Sequence, residues 1–278
     1  MSEPSASKTA VSVLILRAAH QLLDGEPKVL VDPIAPRLLT QQERAALDKP
    51  QSFGTPVALR LRAHVVARSR YADDCLADAC ARGIEQLVVL GAGLDSFAHR
   101  QPAWARALRI FEVDHSASQA AKRARLAAAG LTPPPNLTWV PIDFERTRLA
   151  EGLAAAGFRA DRPAFFTCLG VLVYLTPEAV AELFEFVSTL PRSSELVFTI
   201  SGDYRSNATS NAIGEAAAAA GEPWLSPLTA EQLPAKLLPL GFSALTVKSQ
   251  AEIAELYFGG RTDGLEAPLH DRIARAVV

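Results

Sequence analysis

QLVVLGAGLDSFAHR, residues Gln86 to Arg100, governs the reading of the whole chain. Leu87, Val88, Val89 and Leu90 form an unbroken apolar run, the pattern of a parallel strand buried on both faces. Gly91-Ala92-Gly93 follows at once, and two glycines at a strand's end permit a tight turn and a close approach of ligand to backbone. A second strand, expected over Leu108–Val113, ends on Asp114, which lies 114 − 91 = 23 residues after the first glycine. A carboxylate at that spacing accepts hydrogen bonds from both hydroxyls of a ribose. The centre of the chain therefore reads as a nucleoside-binding βαβ unit; the plain alternative is a glycine-rich βα turn that binds nothing.

Ser96 stands where a dinucleotide fingerprint places its third glycine, and Pro102 leaves little length for a helix that could hold a pyrophosphate at its N-terminus. S-adenosylmethionine carries no phosphate and needs no such device. A nicotinamide-dependent oxidoreductase shares the ribose acid, but the sequence lacks the third glycine and any Tyr-x-x-x-Lys pair.

Outward from this unit, strands alternate with helices. Helices are expected over Ser5–Leu23, Arg37–Leu47 and Pro56–Cys80, the last closed by Gly83. Beyond the second strand come a helix over Ser116–Ala129, a strand over Leu137–Ile142 and a helix over Leu149–Ala156. A strand over Ala164–Val173 leads to a helix that Thr176 caps and Pro177 opens. A strand over Glu195–Ser201, a helix over Thr229–Leu240, a strand over Phe242–Lys248, a helix over Gln250–Phe258 and a last strand over Arg272–Val278 complete the pattern. Gly202–Pro227 interrupts it and reads as an inserted helical lid or pocket wall. The fold class is α/β, a mostly parallel sheet with helices on both faces. The chain divides into an N-terminal helical part (1–83), a cofactor-binding core (84–201), the insertion (202–227) and a C-terminal completion of the sheet (228–278), all in one domain.

A net charge of −2 gives no electrostatic case for nucleic acid or an anionic membrane, and no apolar run approaches a membrane span. Cys75, Cys80 and Cys168 show neither CxxC spacing nor even pairing, which points to reduced thiols and a cytoplasmic setting. Metal-ligand spacings are absent, and no feature fixes an oligomeric state.

Ligands in such sheets bind outside the carboxyl ends of the strands. There the sequence sets Gly91–Gly93, Asp114, then Asp143-Phe144, then Val171–Tyr174. Asp143 can accept the adenine amino hydrogens while the Phe144 N–H reaches a ring nitrogen; a lone strand-end aspartate can equally be a helix cap. Arg70 can clamp a ligand carboxylate in a bidentate pair, or bridge to Asp73 or Asp74 on its own helix. Tyr174, Asp203, Tyr204 and His99 are candidate bases or positioners for an acceptor.

RSRYADDCLADACARGIEQLVVLGAGLDSFAHR (68–100), FEVDH (Phe111–His115), PIDFE (Pro141–Glu145) and LGVLVYLTPEAV (Leu169–Val180), in that order, resemble the leucine carboxyl methyltransferase-like group of S-adenosylmethionine-dependent methyltransferases, in particular its bacterial branch. The resemblance runs from about Ser7 to the C-terminus. It implies a class I methyltransferase fold, Rossmann-like, with a seven-stranded sheet whose last strand is antiparallel. It implies S-adenosylmethionine as cofactor, Arg70 on its carboxylate, Gly91, Ala92 and Gly93 beneath its methionine part, Asp114 on the ribose and Asp143 with Phe144 on the adenine. Many relatives carry glutamate where this chain has Leu169, which cannot accept a hydrogen bond from the cofactor's ammonium group. The activity implied is O-methylation of a small-molecule acceptor, with a non-catalytic cofactor-binding protein as the alternative.

Overall fold

A computed structural model describes residues 7–200, 214–215, 217–219, 221–226, 228–267 and 272–278. The helices α1 (Lys8–Leu23), α2 (Gln41–Leu47) and α3 (Pro56–Ala81) precede the sheet. Then follow β1 (Gln86–Leu90), α4 (Phe97–Arg100), β2 (Arg109–Asp114), α5 (Ser116–Ala128), β3 (Leu137–Pro141), α6 (Leu149–Ala155), β4 (Phe165–Cys168), α7 (Pro177–Ser188) and β5 (Glu195–Ile200). Beyond the insertion lie α8 (Leu233–Leu237), β6 (Ala244–Lys248), α9 (Gln250–Tyr257) and β7 (Arg272–Val277).

The seven strands stand in the order β3-β2-β1-β4-β5-β7-β6. β1 to β5 pair in parallel, and β7 runs antiparallel to both neighbours. This is the α/β, class I methyltransferase-like sheet that the resemblance implies. Alternation along β1 splits the core in two. Leu87 and Val89 face α3 together with Ile110 and Phe165, while Val88 and Leu90 face α6 and α7 with Phe111, Val113 and Phe166. The central strands β1, β4 and β5 are buried along their whole length because helices cover both faces of the sheet there.

Three expectations need correction. β4 stops at Cys168 rather than Val173: Gly170 takes φ +73, a left-handed turn that a strand cannot continue, and Leu172–Tyr174 is a single 3₁₀ turn. The helix expected over Thr229–Leu240 breaks into a 3₁₀ turn, five residues of α-helix and a second 3₁₀ turn, with Pro234 and Pro239 each removing a backbone donor. The helix expected over Arg37–Leu47 divides at Leu39, because Thr40 and Glu43 form a capping box that starts α2 afresh.

Candidate functional site

Strand order reverses between β1 and β4, and at such a switch point a parallel sheet opens a crevice beyond its strand ends. Gly91 turns there with φ +62, and a Cβ on it would lie 2.4 Å from Val171 Cγ2, so only glycine fits between the β1 end and the β4 exit. Asp114 leans back across the turn. Its Oδ2 accepts the Gly93 N–H and its Oδ1 accepts the His115 N–H at 2.7 Å. The Ala92 N–H bonds to the Val113 carbonyl at 3.1 Å. The glycine turn and Asp114 are thus one hydrogen-bonded unit.

At the β3 end Asp143 holds its own turn. Its Oδ1 accepts the Glu145 N–H at 3.1 Å, and its carbonyl takes the N–H groups of Arg146 and Thr147. The capping role left open by the sequence is therefore present. Phe144 is half-buried against the core, and its N–H has no acceptor among the described residues.

Arg70 does not reach the glycine turn. Its Nε bonds to Asp74 Oδ1 at 2.8 Å, its guanidinium lies over the Tyr257 ring, and its side chain is 42% exposed. The local ion pair is what the structure contains. Arg68 points the other way and is buried: its Nη1 lies 2.6 Å from where a Gly170 Cβ would stand and 3.3 Å from His64 Nε2. Two residues along a helix is about 200° of rotation, so Arg68 is the arginine that α3 turns to the end of β4. The backbone of Gly170 is fixed from the other side, its N–H donating to Thr199 Oγ1 at 2.7 Å.

Leu169 is half-buried, packed on the α3 side of the sheet. Tyr174 closes the 3₁₀ turn after β4 and is half-buried. Asp203 and Tyr204 lie outside the described residues, as does most of the expected insertion. Cys168 is fully buried and burial pushes its thiol up to about 12, so it is packing and not a nucleophile.

Ser96, where a dinucleotide site wants glycine, is fully buried in a polar knot that sequence reasoning missed. Its hydroxyl donates to Asp32 Oδ2 at 2.7 Å and accepts from Arg17 Nη1 at 3.1 Å, and Arg17 also pairs with Asp32 at 3.2 Å. This knot ties α1 to the turn. α4 that follows has only four residues, so no helix N-terminus stands ready for a pyrophosphate.

His99, on α4, offers no accessible base. Both ring nitrogens are closed to solvent and lack a hydrogen-bond partner among the described residues. Burial, together with the positive charge of Lys122, brings its pKa down to about 4 despite Asp95 nearby. The unfolded chain then binds the extra proton between about pH 6.5 and the folded value, so stability is lost as pH falls through that window. Thermal melting at pH 7.5 and 5.0 should show a smaller drop for His99→Leu than for the native chain; equal drops would mean that His99 finds a proton acceptor in the folded state.

Among the described residues no group of histidine, cysteine and carboxylate side chains could hold a metal ion, and no helix is long and apolar enough to cross a membrane.

Comparison with known proteins adds to this geometry. The profile of the family described as leucine carboxyl methyltransferase matches residues 10–188. A Bacillus subtilis protein that carries the provisional name S-adenosyl-L-methionine-dependent methyltransferase YktD is 32% identical over 96% of this chain and 96% of its own. A relative from Mycolicibacterium smegmatis with the same kind of provisional name is 32% identical over 66% of this chain and 63% of its own. Among solved structures, one from Thermobifida fusca, provisionally titled a methyltransferase, superimposes with a TM-score of 0.61 over 99% of this chain and 95% of its own, at 18% identity. That last likeness concerns the fold.

Proposed function

The chain belongs to the leucine carboxyl methyltransferase family and is an S-adenosylmethionine-dependent methyltransferase; on that premise we propose that it methylates an oxygen of a small-molecule acceptor, a carboxylate before a hydroxyl. The residues fit the cofactor. Gly91 leaves a cradle that a Cβ would fill, Asp114 stands over the turn for the ribose, and the Phe144 N–H waits without an acceptor for the adenine. Arg68, buried at the end of β4, is the guanidinium suited to the cofactor's carboxylate, in the role first assigned to Arg70.

When bound, the cofactor supplies a methyl group on a sulfonium sulfur that is already a good leaving group. What the chain contributes is alignment and exclusion of water. A carboxylate acceptor is already ionised at neutral pH and needs no base, whereas a hydroxyl acceptor does. The observation that carries the carboxylate preference is the closure of His99, the imidazole on the helix that follows the glycine turn.

The test is transfer from methyl-labelled S-adenosylmethionine to a panel of carboxylic acids, phenols and alcohols. Label released as methanol by mild alkali identifies a methyl ester; alkali-stable label identifies an ether. Cofactor binding with no transfer to any member would favour the non-catalytic reading. Asp114→Ala should weaken S-adenosylmethionine binding at least about tenfold in titration calorimetry, since it leaves the ribose hydroxyls and the Gly93 N–H unpaired. Unchanged affinity would remove Asp114 from the ribose.

A further inference from the structure

Arg272 opens β7 and stands at the carboxyl end of the sheet. It pairs with Ile200, the last residue of β5, while Phe198 of β5 pairs with Cys168, the last residue of β4. Continuing that register puts Arg272 level with Gly170, in the row of strand ends that carries the glycine turn. Alternation along β7 settles its face. Ala274 and Ala276 lie in the core beneath α6, α7 and α8, and Ile273 in the core beneath α3, so the Arg272 side chain leaves the sheet on the side of the alanines.

Its guanidinium is left without a partner. Nη1 is closed to solvent and has no hydrogen-bond acceptor, and the side chain forms no ion pair among the described residues. Elsewhere the chain matches such groups. Arg17 closes on Asp32 at 3.2 Å, Arg62 on Asp24 at 2.6 Å, and Arg275, three residues further along β7, on Glu195 at 2.8 Å. Glu231 is exposed; its own N–H and Thr229 hold its carboxyl below the usual range, with Arg272 a smaller influence. A charged donor cut off from water and without an acceptor costs stability unless a ligand supplies the acceptor.

The surroundings narrow the ligand. The segment read as a wall of the acceptor pocket leaves β5 after Ile200, beside Arg272. Its far end returns to the β4 exit, where the Leu225 N–H donates to the Val173 carbonyl at 2.6 Å and the Ser226 hydroxyl to the Leu175 carbonyl at 2.7 Å. In the order β1-β4-β5-β7, a strand spacing of about 4.8 Å puts β7 roughly 10 Å from β4 and roughly 14 Å from β1. Arg272 is thus too far along the sheet to hold the oxygen that takes a methyl group beside the glycine turn. It suits a second anionic group at the other end of the same molecule, and its planar fork matches a carboxylate.

We propose that Arg272 binds a carboxylate of the methyl acceptor, remote from the oxygen that is methylated. The proposal rests on the methyltransferase reading and narrows its acceptor to a molecule that is anionic at its far end.

The test is calorimetry of the full chain saturated with S-adenosylhomocysteine, using octanedioate and octanoate as probes. The two differ only in the second carboxylate. The native chain should bind octanedioate about tenfold more tightly. Arg272→Met should abolish that preference and leave the affinities for octanoate and S-adenosylhomocysteine unchanged; Arg272→Lys should keep part of it. No preference in the native chain, or one that survives Arg272→Met, would overturn the proposal. So would a loss of S-adenosylhomocysteine affinity in Arg272→Met, which would put the guanidinium on the cofactor. A native chain that binds no S-adenosylhomocysteine would instead bring down the methyltransferase reading. A second measurement needs no ligand. Arg272→Met removes an enclosed donor that has no partner, so the melting temperature of the empty chain should rise by about 2 °C or more. A lower melting temperature would mark Arg272 as a structural support and overturn the proposal.

Discussion

Lys122→Met should destabilise the chain by about 3–5 kcal/mol, a large part of the 5–15 kcal/mol that holds an ordinary domain together. Lys122 on α5 and Glu112 on β2 are 1% and 0% exposed, and Nζ lies 2.5 Å from Glu112 Oε2. The other carboxylate oxygen, Oε1, has no partner among the described residues, so the ammonium is what keeps this charge tolerable. Methionine keeps the length of the aliphatic stem but loses the ammonium, which pairs with Glu112 and lies over the Trp139 ring at 5.4 Å from its centroid, and the loss is therefore electrostatic. Chemical denaturation at pH 7.5 measures it.

The pH dependence checks the cause. Burial already raises the Glu112 pKa against the opposing pull of Lys122, and without Lys122 it rises further. A carboxyl whose folded pKa exceeds its unfolded value loses stability as pH rises, so the variant should suffer less at pH 5 than at pH 7.5. Lys122→Met combined with Glu112→Leu should return to within about 1 kcal/mol of the native chain, because replacing both members of a buried pair by apolar groups is often neutral. A single-variant cost under about 1 kcal/mol would mean that water reaches the pair.

The sequence disclosed the parts of the site that are made by neighbours in the chain, and concealed those made across it. Gly91, Gly93 and Asp114 were legible because a strand end, a turn and the next strand end repeat a spacing set by one βαβ unit. Arg68 was not distinguished from Arg70, since α3 shows no clean apolar stripe. Arg62, His64, Arg68 and Ser69 are buried along with Ala63, Val66 and Ala67. Which of two arginines turns inward is decided by what the helix packs on, not by local pattern. The end of β4 was hidden by Val171–Val173, an apolar run that continues past the left-handed Gly170. The knot of Arg17, Asp32 and Ser96 joins residues 64 and 79 positions apart, and only the folded chain reveals it.

Gly91→Ala should cost about 2–5 kcal/mol and abolish measurable cofactor binding. Two costs combine: an alanine at φ +62 loses about 1–2 kcal/mol, and a methyl forced against a stiff neighbour adds about 1–3 kcal/mol. The neighbour is Val171, whose Cγ2 and Cγ1 would lie 2.4 and 2.9 Å from the new Cβ. β-branching leaves Val171 few rotamers in which to retreat, so the turn must move instead. The turn carries the Gly93 N–H that Asp114 accepts, and its displacement separates Asp114 from the glycines. Two further variants resolve the terms. Gly83→Ala has a similar left-handed backbone, φ +98, but nothing within 4 Å of its Cβ, and so isolates the backbone cost. Gly91→Ala with Val171→Ala removes the clash and keeps the backbone cost. If the fit between β1 and the β4 exit is what shapes the site, the double variant should recover stability towards that of Gly83→Ala and regain part of the affinity for S-adenosylhomocysteine. A single Gly91→Ala variant as stable as Gly83→Ala and still able to bind would show that Val171 yields, and that the close approach at Gly91 does not shape the cofactor cradle.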